Sequence, residues 1–231
     1  HGQTKYPLVD KRLRPDLAIL DSDFLQDLPP ALIADTGCDV LTHAIEAYTA
    51  SNAGTIPDLL AQEAFRTAYA CLPASYAGNT EVRLRLHMAS TLAGMAFSQS
   101  GLGLCHAMAH SLGGLFHVPH GRLNAILLPS VITCNAHVAA KKYAELARAA
   151  GIGGSADTIA VRNLKNGLVR LRRELNLPET LAQAGVDPRS VWRNAEQIVK
   201  AALEDPCCKT NPMEVEDFLV RRILEEVTGR V

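Results

Sequence analysis

Residues 101–121 read GLGLCHAMAHSLGGLFHVPHG, and this stretch directs the interpretation of the whole chain because it holds four of the eight histidines. His106 and His110 are four residues apart, so on a helix both side chains project from one face. His120 stands between a proline and a glycine, a turn pattern that can return the chain past that helix. Neutral imidazole is the commonest metal ligand in proteins, so the stretch indicates a metal site.

A second stretch, residues 36–49, reads TGCDVLTHAIEAYT and repeats the four-residue spacing. Here Asp39 and His43 share one face of a predicted helix. A carboxylate combined with imidazoles is a mixed oxygen and nitrogen donor set that suits Zn(II) or Fe(II). A single pair at this spacing is also common on ordinary helix surfaces, so a purely structural role stays open. Two such pairs in otherwise apolar sequence favour a metal site. A buried aspartate needs a partner, and a metal ion is one such partner.

The composition narrows the class of protein. The chain has 231 residues, of which 48% are hydrophobic, and this is ample for one domain with a sizeable core. The formal net charge of -1 gives no indication of a nucleic-acid or membrane partner. The six cysteines include no CxxC pair and are typical of reduced thiols, so we expect a cytoplasmic protein.

The hydrophobic periodicity predicts an all-α body from Leu28 onward. We expect Gly37 to end a first helix and a separate ligand helix to begin at Asp39. Residues 179–184 are expected to form a short helix near the end of the chain. Among the remaining candidates, His117 is expected to be an exposed turn residue.

Residues 1–28 differ from this body. Short apolar pieces at residues 6–9 and 17–20 are separated by proline and charge, which predicts one or two short strands. Such strands need a sheet to join, and the later sequence supplies no obvious one. Two aromatic residues could line a substrate pocket, although packing in the helical core is the expected role of each: Phe97 and Phe116.

Four blocks of the sequence resemble the C-terminal, metal-binding domain of the iron-containing (group III) alcohol dehydrogenases, which is a helical domain of the dehydroquinate synthase-like fold. The chain is most similar to the ethanolamine- and propanediol-utilisation and butanol dehydrogenase types. The blocks that carry the resemblance are KYPLVDKRLRPDLAILD (5–21), LPPALIADTGCDVLTHAIEAYTA (28–50), GLCHAMAHSLGGLFHVPHGRLNAILLPSVITCNA (103–136) and DPCCKTNP (205–212).

The resemblance implies a particular ligand set. The family's metal ligands correspond to Asp39, His43, His106 and His120, and the metal would be Fe(II), with Zn(II) in some relatives. The second histidine of the HxxxH helix, His110, would then lie in the active site beside the metal without binding it. One departure is that a serine follows this histidine where many members have proline.

The resemblance also implies a missing part. Full-length members begin with a Rossmann-like domain whose Gly-Gly-Gly-Ser loop holds the NAD(P) pyrophosphate, and this sequence has no such loop. Residues 1–28 are therefore interpreted as a remnant of the N-terminal dinucleotide-binding domain, and residues 29–231 as the helical metal-binding domain of a fragment. Thr36 and His110 are expected near the nicotinamide of NAD or NADP.

The implied function is an NAD(P)-dependent alcohol dehydrogenase that interconverts a small primary alcohol and its aldehyde, with the metal polarising the alcohol oxygen. His110 would relay the hydroxyl proton or orient a ligand, and both roles stay open. We expect a homodimer or higher oligomer, and no activity from these residues alone.

Two alternatives belong to other classes. The chain as given could be a non-catalytic metal-binding helical domain. It could also be a lyase such as dehydroquinate synthase, against which the HAIEAY and PHG blocks argue.

Overall fold

The structure is a computed structural model that describes residues 10–13 and 15–229. Across these residues there are only helices, turns and irregular segments, so the predicted all-α fold is confirmed. The α-helices are α1 (Pro30–Thr49), α2 (Thr55–Tyr76), α3 (Arg83–Ser100), α4 (Leu104–Phe116), α5 (His120–Ala149), α6 (Asp157–Glu174), α7 (Pro188–Arg193), α8 (Ala195–Glu204) and α9 (Asp217–Thr228). Short 3-10 helices lie at Lys11–Leu13, Asp23–Leu25 and Pro206–Thr210.

Helix α5 is the centre of the domain and packs against α1, α4, α6 and α9. Its inner face carries Leu123, Leu127 and Ile132, all without exposed surface, and burial of such side chains is the main stabilising contribution to folding. Within the described part of the chain, α5 is the one helix long and apolar enough to cross a membrane. In this structure 61% of its most apolar window is buried inside the protein.

Helices α1, α2 and α3 form a closely packed group beside α5. Small side chains allow these helices to approach one another, and Ala64 of α2 and Ala93 of α3 have no exposed surface. The close approach also explains Gly37, where a Cβ atom would overlap the side chain of Leu72 on α2. Helix α1 therefore runs without interruption through Gly37, and the predicted helix end at this glycine was wrong.

The N-terminal segment is not a strand where the structure describes it. Residues 17–20 are irregular, whereas the other predicted piece, residues 6–9, lies outside the described residues. The side chains of Leu17 and Ile19 are 75% and 81% exposed, because no sheet is present among the described residues for this segment to join. The strand predicted at residues 17–20 was therefore wrong. The assignment of residues 1–28 to a second domain remains a prediction.

The short helix predicted at residues 179–184 was also wrong, because this segment forms turns. Two of its backbone amides form hydrogen bonds with α9 instead of within a helix. The Leu181 amide donates to Val227 O at 2.8 Å, and the Ala182 amide donates to Thr228 O at 3.1 Å. These hydrogen bonds attach the segment to the end of α9. Tertiary contacts thus override the local helical preference.

Candidate metal centre

The site forms where the middle of α1 meets the first turns of α4 and α5. Helix α1 presents Asp39, His43 and Glu46, which are spaced four and three residues apart and lie on one face. Helix α4 contributes His106 and His110 in its first two turns. The two sequence stretches therefore lie side by side in the fold, with Asp39 and Glu46 of α1 both in contact with His106 of α4.

His120 is the first residue of α5 and is placed by the turn that links α4 to α5. His117 ends α4 with a left-handed backbone (φ 55°) and is exposed, as predicted for a turn residue. The following Gly121 lies directly against α1, where a Cβ atom would be 2.6 Å from the Asp35 carbonyl carbon and 3.2 Å from the Asp39 Cβ. Glycine at this position therefore allows His120 to lie beside Asp39.

Three of the four predicted ligands have donor atoms at separations that suit one metal ion. Asp39 Oδ1 is 3.5 Å from both His106 Nε2 and His120 Nε2, and the three atoms lie within 4.8 Å of one another. An ion about 2.1 Å from each of two tetrahedrally arranged ligands would separate them by roughly 3.4 Å. The residues present therefore fit a divalent ion with mixed nitrogen and oxygen ligands.

His43 adjoins this group without being part of it. Its ring is stacked between Phe97 and His106, with ring centroids 4.6 Å and 4.5 Å away. Its Nδ1 is 3.9 Å from Asp39 Oδ2. The ligand role of His43 remains a prediction. Phe97 packs against the site itself, a contact beyond the core packing expected from sequence.

Asn124 is a site residue that the sequence analysis missed. Its side chain has no exposed surface, and its Nδ2 donates to Asp39 Oδ1 at 2.6 Å. The same nitrogen lies 3.3 Å from His106 Nε2 and 3.2 Å from His120 Nε2. The available indication was its spacing, because Asn124 follows His120 by four residues on the same helix.

The electrostatics reflect this crowding of ionisable groups. Burial alone would raise the pKa of Asp39, but hydrogen bonding to His106 and the charges of the three nearby histidines hold it well below its usual range. Burial lowers the pKa of His43 to about 3, and the neighbouring His106 acts in the same direction. Burial acts against the charged form of His106 too, but hydrogen bonds to Asp39 and Glu46 outweigh it and raise its pKa to about 9.

His110 lies beside the group, where the resemblance places an active-site residue that does not bind metal. Its ring stacks on His120 with centroids 5.2 Å apart. Its Nδ1 is 2.9 Å from Oδ2 of Asp205, a 7% exposed carboxylate that ends α8 and also accepts a hydrogen bond from the Cys207 amide at 2.8 Å. Asp205 lies in the DPCCKTNP block, and its contact with His110 could not be derived from sequence spacing.

Thr36 lies one turn before Asp39 on α1, and its hydroxyl donates to Leu32 O at 2.7 Å. It lines a largely apolar cavity of about 290 Å³ between α1 and α3, together with His87 and Ser90 of α3. The structure thus gives Thr36 access to a cavity. Its predicted proximity to a nicotinamide remains a prediction.

The fold and the site define a helical domain with a candidate mononuclear metal centre at the junction of three helices. The chain belongs to the Fe-containing alcohol dehydrogenase family, whose C-terminal part it matches over residues 33–228. The resemblance inferred from the sequence blocks is confirmed.

Similar proteins include 1-propanol dehydrogenase PduQ of Salmonella typhimurium, which is 44% identical over 96% of this chain and 62% of its own length. NADPH-dependent butanol dehydrogenase of Clostridium saccharobutylicum is 39% identical over 96% of the chain and 58% of its own length. The iron-containing alcohol dehydrogenase of Thermococcus thioreducens superposes with a TM-score of 0.88 at 34% identity, over 95% of this chain and 56% of that protein. The chain therefore spans about three fifths of the length of these relatives.

Proposed function

We propose that this chain is the metal-binding helical part of an NAD(P)-dependent alcohol dehydrogenase that interconverts a small primary alcohol and its aldehyde. The observation that carries the proposal is the arrangement of Asp39 Oδ1, His106 Nε2 and His120 Nε2 around a common point. Family membership favours Fe(II), and Zn(II) is chemically compatible with the same donors. His43, whose Nδ1 is 3.9 Å from Asp39 Oδ2, would complete the set of four ligands.

When bound, the ion supplies Lewis-acid polarisation of the alcohol oxygen. The protein must then accept the hydroxyl proton, and His110 is the group that we assign to this step. Asp205 accepts a hydrogen bond from His110 Nδ1, so Nε2 is left to exchange a proton with the substrate. The apolar ring of Phe97, stacked on His43, would exclude water from the reacting atoms.

The substrate and nucleotide are proposed from the relatives' names, which specify propanol, butanol and NADPH. Hydride would pass to the nicotinamide of NAD or NADP held by a nucleotide-binding domain, with Thr36 near that ring. A cytoplasmic location is supported by six cysteines that are all unpaired in the described structure. We further propose a homodimer or higher oligomer, with no nucleic-acid or membrane partner.

The proposal is tested first by elemental analysis of protein purified anaerobically, with His43→Ala and His120→Ala as matched variants. We expect about one iron or zinc per chain in the unmodified protein and much less in both variants. The whole protein that carries this chain should then oxidise a primary alcohol with NAD or NADP. A whole protein that binds metal but oxidises no alcohol would favour the non-catalytic metal-binding alternative.

A further inference from the structure

Glu46 is a buried carboxylate on α1 whose oxygens face the first turn of α4. It is only 4% exposed, and it accepts hydrogen bonds from the Gly103 amide at 3.0 Å and the Cys105 amide at 2.7 Å. The first amides of a helix have no partner within that helix. Glu46 therefore caps α4 from a different helix, and each of its two oxygens accepts a hydrogen bond from a backbone amide.

The same carboxylate also contacts the imidazole of His106. Glu46 Oε2 lies 2.6 Å from His106 Nδ1, and this distance is that of a charge-assisted hydrogen bond. Because both Glu46 oxygens already accept from backbone amides, the geometry assigns the hydrogen of this contact to His106 Nδ1. The opposite ring nitrogen, Nε2, is then left facing Asp39 Oδ1 at 3.5 Å.

We propose that Glu46 is a positioning residue that holds the proton of His106 on Nδ1 and directs its Nε2 toward the metal, an inference that rests on the proposed function. Glycine at position 103 leaves the space that this contact needs, because a Cβ atom there would be 2.7 Å from Glu46 Oε1. Since one carboxylate of α1 sets both the start of α4 and the ring of His106, it couples two of the three helices that hold the site. Carboxylates in this outer position orient ligand imidazoles and raise their basicity.

The test is Glu46→Gln, which keeps the shape of the side chain but replaces one acceptor oxygen with a donor. The amide nitrogen must face either the backbone amides of α4 or His106 Nδ1, and both arrangements disturb the ligand. We expect the affinity for Zn(II), measured by competition with a chromophoric chelator, to fall about 10- to 100-fold. Glu46→Asp, which keeps the charge but shortens the reach, should give an intermediate loss.

A matched control separates capping of the helix from orientation of the ring. Asn211 caps the same helix, because its Oδ1 accepts from the Leu104 amide at 3.2 Å. Asn211→Ala should therefore lower the melting temperature while leaving the Zn(II) affinity within about threefold of the unmodified value. Equal losses of affinity in Asn211→Ala and Glu46→Gln would show that Glu46 acts only through the stability of α4, and would overturn the proposal.

A second measurement needs no bound metal, and its main observation is made on the unmodified protein. Nitrogen-15 NMR of the unmodified protein should show a slowly exchanging, strongly deshielded proton on His106 Nδ1, which Glu46→Gln removes or shifts. Its absence in the unmodified protein would overturn the inference, as would unchanged Zn(II) affinity in Glu46→Gln. If the unmodified protein binds no metal but shows this proton, the proposed function fails while the Glu46–His106 contact stands.

Discussion

Gly121 at the start of α5 lies against the backbone of Asp35 on α1, so closely that a Cβ atom at position 121 would overlap the Asp35 carbonyl oxygen. The neighbouring side chains reinforce this contact, because Arg122 donates two hydrogen bonds to the Asp35 carboxylate, at 3.1 Å and 3.0 Å. A bidentate pair of this kind fixes direction as well as distance. The contact determines how far His120 lies from Asp39.

We predict that Gly121→Ala destabilises the protein by about 3 kcal/mol or more and abolishes metal binding, because the added methyl group meets rigid backbone. Gly94→Ala is the matched control, since a Cβ atom on this α3 glycine meets nothing within 4 Å. It should stabilise the protein by about 0.5–1 kcal/mol through helix propensity alone. Urea unfolding and metal analysis of both variants check this prediction. Full metal binding by Gly121→Ala would contradict it.

Metal removal should lower the melting temperature. An ion that binds only the folded state adds about 2.7 kcal/mol of stability at 100 times its dissociation constant. For a chain of this length, that corresponds to a rise of roughly 5–10 °C. Differential scanning fluorimetry with Zn(II), and again after a chelator is added, measures the change. His120→Ala should show no such rise, and an equal rise in this variant would place the ion elsewhere.

The contact between Asp205 and His110 should matter more for turnover than for stability. Burial alone would raise the pKa of Asp205, but hydrogen bonds from His110 and the Cys207 amide hold it below its usual range. We expect Asp205→Asn to preserve the fold, yet to lower kcat of the whole protein with a primary alcohol by about 10-fold or more. Steady-state kinetics together with thermal unfolding would separate the two effects. A loss confined to KM would argue against a role in proton transfer.

Cys208 should react slowly and with a distinctive pH dependence. Burial, together with the nearby charges of Asp205 and Glu46, raises the pKa of its thiol to about 11. Only the thiolate reacts, so the alkylation rate should keep rising about tenfold per pH unit from pH 7 to 10. Mass spectrometry of a Cys207→Ser variant isolates this thiol. The same protein in urea is the control, and its rate should level off near pH 9. A plateau at pH 9 in the folded protein would refute the assignment.

Much of the fold and the site could be predicted from sequence because the relevant patterns are local. Spacings of four residues place Asp39 with His43 and His106 with His110 along their helices, and the helical period extends through most of the chain. The errors arose where distant contacts decide the conformation. Gly37 was mistaken for a helix end because its partner, Leu72, lies on another helix.

The sequence by itself determined the helical class, the family and the two stretches that carry the predicted ligands, since these follow from composition, period and motif. Only the tertiary structure decided which distant groups surround them: Glu46 behind His106, and Asp205 beside His110. The physical reason is that these partners are separated along the chain by 60 and 95 residues, and no helical period relates residues so far apart. Packing of α1, α4, α5 and the end of α8 brings them together.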